Sequence, residues 1–347
     1  MYGLHNILCV AGTLEGETVK RLSTFVAASV LAVIVIGMFA GSLIAQTSPE
    51  VYAACAPDRH EIEASDLPEV VDQDKCPVGG REIVDGGVSV AVPEPGESVF
   101  TEAMSPRGSE SLVVSNPSGD RLILGDAGGD ARAEETGTFA TKSSGPGACS
   151  DAYRNPWASR LYNYLRYYFN RRSTPAYLAD VGAARAIEKA GNNVSRVRDS
   201  CGVGDRVPAV LKYRGVTRTS VDMDAGGTCK ANDHKSVVGF GDLPRTYTGN
   251  TCIWSWIEDG PDRINSADVR MNKADYRWTT RVTRSCRGKH DVESTMTHER
   301  GHTFGLGDVP ETSHPNLTMS SRSNGACQTM ERSLGKGDAI GLNGKYR

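Results

Sequence analysis

The stretch Thr297-His298-Glu299-Arg300-Gly301-His302-Thr303-Phe304-Gly305-Leu306-Gly307-Asp308 constrains this chain more than any other part of it. His298 and His302 stand four apart, so on a helix of 3.6 residues per turn both imidazoles share one face, one turn apart. Two neutral imidazoles so placed can grip a single Zn2+, and Glu299 beside the first lies within reach of a water on that ion. A catalytic zinc takes three protein ligands and leaves a fourth position open. The third must come from a segment that leaves the helix and doubles back. Gly305 tolerates the positive φ of a sharp helix exit, and Asp308 follows it with a hard oxygen ligand. His314, also just beyond the turn, is the alternative third ligand. Glu299 is expected not to bind the ion but to act as general base, moving a proton from water to a leaving group. The bland alternative is an exposed polar helix with two unrelated histidines, which has no need of Gly305 or Asp308.

At 347 residues the chain can hold one or two domains with extensions. Its net charge of -3 offers no basic surface for nucleic acid. Leu22 to Ala45 is an uncharged apolar run preceded by Lys20-Arg21, and about 20 such residues suffice to cross a bilayer. Two readings follow for residues 1–53. One is a signal peptide cleaved after Val51-Tyr52-Ala53, with Val19 a natural start before the basic pair. The other is an uncleaved anchor with that pair on the cytoplasmic side. Ala53-Ala54-Cys55 also resembles a lipoprotein cleavage box, although Tyr52 fits it poorly and Cys55 is far from the apolar run. Of nine cysteines, Cys9 precedes the run and eight follow it. An even number beyond a targeting segment predicts disulfides and an oxidising compartment.

Residues 54–148 are rich in Glu, Asp, Gly, Pro and Ser and poor in aromatics. Ile83-Val84, Val88 to Val92 and Leu112 to Val114 read as strands of a small, loosely packed module, and Gly125 to Gly147 reads as linker. The segment is expected to be poorly ordered: either a pro-segment shielding the site until cut, or a spacer. Cys76 pairs with Cys55 on the favoured reading; the alternative is a thiolate capping the zinc.

From residue 149 to 347 the texture is that of one sizeable domain. Tyr162 to Asn170 reads as a strand. Thr174-Pro175 is predicted to open a helix on which Ala183, Ala184, Ile187 and Ala190 repeat at helical spacing, ended or interrupted at Gly191-Asn192. Strands are expected at Ala209 to Tyr213, Val237 to Phe240, Thr251 to Glu258 (near a sheet edge) and Ala267 to Asn272. Asp291-Val292 starts the histidine helix and Gly305 stops it. Trp254 and Trp256 are expected in the core rather than in subsite walls.

Read as H-E-x-x-H-x-x-G-x-x-D, His298 to Asp308 resembles the signature of metzincin zinc metallopeptidases. Leu317-Thr318-Met319-Ser320 resembles the family's Met-turn, and Leu334 to Leu342 resembles the closing helix of matrixin-like members. Asp308 in place of the usual histidine is similar to the snapalysin-like branch, and Ser321 stands where a tyrosine-assisted variant would carry its tyrosine. The resemblance covers about residues 149–347. It implies an α+β fold: a small twisted mixed sheet, a long backing helix, the zinc-binding active-site helix, a Met-turn with Met319 beneath the metal, and a C-terminal helix. It implies a secreted, monomeric endopeptidase with one catalytic zinc held by His298, His302 and Asp308. Glu299 would be the base, and a peptide substrate would lie extended along an edge strand. Calcium is not indicated, and nucleic acid is not an expected partner. A bridge between Cys286 and Cys327 would brace the site. Two other readings stand beside this one: a catalytically idle zinc-containing binding or adhesion module on the same fold, and a zinc hydrolase of another substrate.

Overall fold

The first seven strands come from the part of the chain whose composition promised least order. In the computed structural model, which describes residues 53–125, 145–323 and 325–347, they are β1 (Glu61–Glu63), β2 (Val70–Asp72), β3 (Glu82–Asp85), β4 (Val88–Ala91), β5 (Glu97–Ser105), β6 (Gly108–Asn116) and β7 (Arg121–Gly125). The expectation of a loosely packed, poorly ordered module over 54–148 is corrected here for residues 54–125. The physical reason is that these residues close one core jointly with the second half. Val99, Ala103, Leu112, Val114 and Leu122 share one buried cluster with Val221, Met223, Val237, Leu243 and Trp254 from the second half. Composition is a poor guide when another segment supplies the missing apolar surface.

The second half adds β8 (Tyr164–Asn170), β9 (Val210–Thr217), β10 (Ser236–Gly241), β11 (Gly249–Trp256), β12 (Arg263–Asn272), β13 (Arg277–Thr279) and β14 (Lys289–Asp291). Among the described residues it also holds the helices α1 (Asp180–Ser195), α2 (Val292–Thr303) and α3 (Lys336–Lys345). The α+β class expected from the sequence is therefore present. One nine-stranded mixed sheet runs β2-β7-β6-β5-β11-β12-β10-β8-β9, beside a three-stranded sheet β1-β3-β4 and a β13-β14 pair. β12, β10, β8 and β9 are mutually parallel, and β11 is antiparallel to β12. Within the second half β11 is thus the edge. In the whole molecule it is not, because β5 pairs along it antiparallel from Gly249↔Met104 to Trp256↔Glu97.

α1 packs against α2 and β9, and α2 packs on β11 and β12. Small residues at helical spacing (Ala183, Ala186, Ala190), with Ile187 and Val194, make the buried stripe of α1. The helix begins at Asp180, not at Thr174-Pro175. Arg171–Ser173 forms a 3-10 turn, Thr174 is extended, and Leu178 N–H bonds Pro175 O, so the proline shapes a turn before the helix. Gly191 does not end it. It lies inside α1 where a side chain would crowd the Tyr167 hydroxyl, at 3.1 Å. Trp254 is buried in the core, whereas Trp256 is 43% exposed with the Arg263 guanidinium over its ring.

Four disulfides, Cys55–Cys76, Cys149–Cys201, Cys229–Cys252 and Cys286–Cys327, account for the eight cysteines after the apolar run. Cys76 therefore offers no free thiolate to a metal. The apolar run 22–45 and most of the expected cleavage region lie outside the described residues, among which no helix is long and apolar enough to cross a membrane.

Candidate metal centre

The site is assembled on α2. Asp291 caps its N-terminus by accepting a hydrogen bond from Ser294 N–H, and Arg332 grips the same carboxylate through Nε and Nη2 at 2.8 and 2.6 Å. The Cys286–Cys327 bridge joins the segment just before β14 to the one just before Arg332. On its other side the helix is tied to α1, where Asn193 Nδ2 donates to Glu293 and Thr297. Every residue of α2 is buried, so its few apolar side chains understate how deeply it sits.

At its C-terminal end Gly305 takes φ 81°, which a side chain resists. A Cβ there would also overlap the Ser159 carbonyl. The chain then reverses and brings Asp308 back. Next to it, Val309 N–H bonds Met319 O and Ser321 N–H bonds Val309 O, so the Leu317-to-Ser320 turn and the Asp308 segment hold each other. The turn itself hangs on α3: Asp338, fully buried, accepts from Thr318 N–H, Met319 N–H and Gly335 N–H. Burial raises the Asp338 carboxyl to about 6 despite those donors. Met319 packs beneath α2 against Gly301, where a Cβ would overlap the methionine sulfur.

The imidazoles are oriented by carbonyl groups. His298 Nδ1 lies 2.8 Å from Thr318 O, and His302 Nδ1 lies 2.8 Å from Leu306 O. A carbonyl only accepts, so each Nδ1 carries the proton and, in the neutral ring, each Nε2 presents a lone pair. Those two Nε2 atoms are 3.2 Å apart. Asp308 Oδ1 stands 3.3 Å from the first and 3.6 Å from the second. A fourth group completes the cluster: Glu102 of β5, with Oε2 3.0 Å from His302 Nε2. Glu102, His298, His302 and Asp308 are all buried, and one ligand atom from each falls within 4.8 Å of the others.

Four lone-pair atoms converging in a dry site repel one another unless a cation lies among them. Both oxygens of Asp308 and both of Glu102 are buried without any hydrogen-bond donor. Ligand atoms about 2.0–2.2 Å from a tetrahedral ion stand roughly 3.3–3.6 Å from each other, close to the separations found here. The residues fit a small divalent metal ion, whose two charges would offset the two carboxylates. In its absence burial, and then Asp308, push the Glu102 carboxyl well above the usual range.

Glu299 is beside this cluster but outside it. It lies fully buried on α2 and accepts a hydrogen bond from the Thr251 hydroxyl of β11, while its Oε1 has no partner. Burial, reinforced by Glu102, raises it to about 7. Gly249, two residues before Thr251, lies where a Cβ would overlap Glu299 Oε1, so a side chain there would force the carboxylate to move. Behind the helix, the buried Arg300 guanidinium lies over the Tyr167 ring at 4.3 Å.

Of the residues anticipated from sequence, the structure gathers His298, His302 and Asp308 in one buried cluster, with Glu299 beside it on α2. His314 is elsewhere: its Nδ1 pairs with Asp151 at 2.9 Å and its ring stacks on Tyr153. Glu102, Thr251, Gly249 and Asp338 were not anticipated. None carries a local signal. Glu102 sits in an ordinary strand, and only the β5–β11 register, which sets it opposite Thr251, places it at the metal ligands. No protein-family model matches this sequence, and no curated protein matches it either. The site is therefore read from its own chemistry.

Proposed function

We propose that this chain is a secreted zinc endopeptidase of the metzincin type, with His298, His302 and Asp308 as zinc ligands and Glu299 as general base. The observation that carries this reading is the placement of Glu299. A structural metal centre has no use for a buried, half-unpartnered carboxylate held against the ligand cluster by a strand hydroxyl. A general base does. A carboxyl near 7 can both accept and return a proton at neutral pH, and a nearby cation would lower it towards the ionised form.

Zinc is the ion that would suit this donor set of two imidazoles and hard carboxylate oxygens. When bound it supplies Lewis acidity, acidifying water and polarising the scissile carbonyl. The chain supplies the rest. Thr251 orients Glu299 towards the ligand cluster, and Glu299 takes the proton of the attacking water and delivers it to the departing amine. β11, which β5 pairs along in this structure, is the strand on which an extended peptide would align in β5's place. Asp338 and the Thr318 carbonyl keep His298 in the Nδ1–H tautomer that binding needs. The disulfides fit an oxidising, extracellular setting, and a monomer suffices because all the site residues come from one chain.

One observation favours a second reading, a metal-holding binding module without activity: Glu102 supplies a fourth protein ligand, and closed four-ligand sites are usually structural. Zinc-loaded protein incubated with unfolded protein separates the two, using the full chain and its Glu102→Ala variant. Chelator-sensitive cleavage that disappears on adding Glu299→Ala is the expected result. Tight zinc binding with no cleavage in either form would favour the binding module.

A further inference from the structure

We infer that the outer face of β8 and β9 is a docking surface for a linear polyanionic glycan, one whose successive sugars carry carboxylate or sulfate groups, held by Arg166, Lys212 and Lys235. The inference rests on neither the metal site nor the endopeptidase reading.

Leu165, Tyr167 and Phe169 of β8 turn inward and share a core cluster with α1. Successive side chains of a strand point to opposite faces, so Tyr164, Arg166 and Tyr168 look away from α1. Tyr164 and Arg166 are exposed and Tyr168 is half-buried. The parallel register pairs Arg166 with Lys212 of β9. It also pairs Tyr167 with Ser236 of β10, which sets Lys235, one residue earlier, level with Arg166. Three cations therefore stand in one row across three adjacent strands, with about 4.8 Å from one strand to the next. Arg214, two residues beyond Lys212, is exposed as well.

Like charges directly opposite one another destabilise a sheet, and no carboxylate offsets them here. Arg166, Lys212 and Arg214 form no ion pair among the described residues. Arg166 Nη2 reaches the Tyr164 hydroxyl at 3.3 Å, and Lys235 Nζ donates to the Thr217 and Thr219 hydroxyls. Asp233, which accepts from Lys235 N–H at 2.8 Å, closes the row at that end. Cations on an edge strand also deter pairing with a second copy. That accounts for Lys212 and Arg214 on β9, but not for Arg166 and Lys235, which belong to inner strands. A chain of anions laid along the row would relieve the repulsion.

The aromatic residues narrow the class of ligand. Lys212 and Arg166 both lie over the Tyr164 ring, at 4.0 and 5.2 Å from its centroid, and Lys235 lies over Tyr168 at 5.0 Å. These rings hold the charges in place, which lowers the ordering cost of binding. Covered in this way, they offer no platform for the bases of a single-stranded nucleic acid. Lying under the charges, they do not project past them into a bilayer. An acidic peptide would add itself to the edge of β9, but Ser195 Oγ already takes Leu211 N–H at 3.0 Å. Gly215, at φ 97°, interrupts the same edge further on. A linear polymer read by its charges remains. The net charge of -3 hides this face, because acidic residues concentrate in the first half of the chain and basic ones in the second.

The test titrates the zinc-loaded full chain with dextran sulfate and polygalacturonate, and in parallel with neutral dextran, phosphatidylserine-containing vesicles and single-stranded DNA. The wild type should bind the two charged glycans, less tightly as salt rises, and should ignore neutral dextran. Arg166→Gln with Lys212→Gln should weaken binding roughly tenfold or more. Arg263→Gln with Arg277→Gln removes as much charge elsewhere on the surface and should change it by less than about threefold. Lys212→Glu separates ligand from fold: a carboxylate opposite Arg166 should raise the thermal midpoint while weakening glycan binding roughly tenfold or more. The inference is overturned if the wild type binds neither charged glycan, or if both double variants lose equally. It is also overturned if Lys212→Glu lowers the midpoint, or if vesicles or DNA bind more tightly than the charged glycans.

Discussion

Glu102 Oε2 lies 3.0 Å from His302 Nε2, although the two residues belong to opposite halves of the chain and to elements of different type. A carboxylate from β5 and an imidazole from α2 meet because β5 is zipped onto β11, and α2 packs on β11 from one face. The contact links what binds the metal to what covers it.

Removing the carboxylate of Asp308 should have opposite effects on the two metal states. Without metal, Asp308→Ala relieves repulsion between two buried carboxyl groups and should raise the thermal midpoint. With zinc it removes a ligand, weakening binding by about 100-fold or more and lowering the midpoint. Calorimetry with and without chelator checks both signs; a fall in both states would mean that Asp308 serves the fold rather than the ion.

The metal-free protein should lose stability as pH rises. Glu299 is raised from 4.5 to about 7 in the folded chain. Its folded form therefore binds the proton more tightly than the unfolded chain does, and stability from this group is complete below about 4.5 and is lost as pH passes through about 7. The loss is on the order of 3 kcal/mol. Glu102 leans the same way, also through burial. Urea unfolding of chelated protein between about pH 5 and 8 should show the decline. Glu299→Gln should flatten it, and a slope unchanged in that variant would refute the assignment.

Thr251→Val deletes the hydroxyl that donates to Glu299 while nearly keeping its volume. That hydrogen bond favours the ionised carboxylate, so its loss should raise the Glu299 pKa and move the acidic limb of the pH–rate profile upward. The rate should fall roughly tenfold at neutral pH, about 1.4 kcal/mol, with zinc affinity unchanged. The measurement belongs in a Glu102→Ala background, which removes the fourth carboxylate from the metal cluster. A lost zinc affinity with an unmoved limb would assign Thr251 to packing alone.

Gly301→Ala pits helix propensity against packing. Alanine gains about 1 kcal/mol over glycine in a helix interior, but its Cβ would overlap the Met319 sulfur, an overpacking cost of about 1–3 kcal/mol. A net loss of stability is expected, together with weaker metal binding as the Met319 turn is displaced. Pairing it with Met319→Ala should recover part of the loss; strict additivity of the two changes would show that they do not meet.

Much of the site was legible because its residues are local. His298, Glu299, His302, Gly305 and Asp308 fall within one helix and its exit, where spacing maps directly onto geometry. The strands β8 to β12 were legible from short apolar and aromatic runs, and β12 from strict alternation over Ala267 to Asn272, to within a few residues. The start of α1 is hidden in the sequence because Thr174-Pro175 has the chemistry of a cap but is used in a turn, while the first helical residue, Asp180, follows Ala179, which makes no side-chain cap.

What the sequence determined by itself is the chemistry on offer: two imidazoles on one helix face, a neighbouring carboxylate, a glycine at the exit and an oxygen ligand beyond it. What only the tertiary structure decided is the state of that chemistry. Glu102, Thr251 and Asp338 reach the site through strand register and helix docking, contacts between residues far apart in the chain that no local pattern encodes. The acidic first half showed the same dependence. Its apolar residues close one buried cluster together with residues of the second half, and the pairing of β5 with β11 brings Glu102 to the metal site.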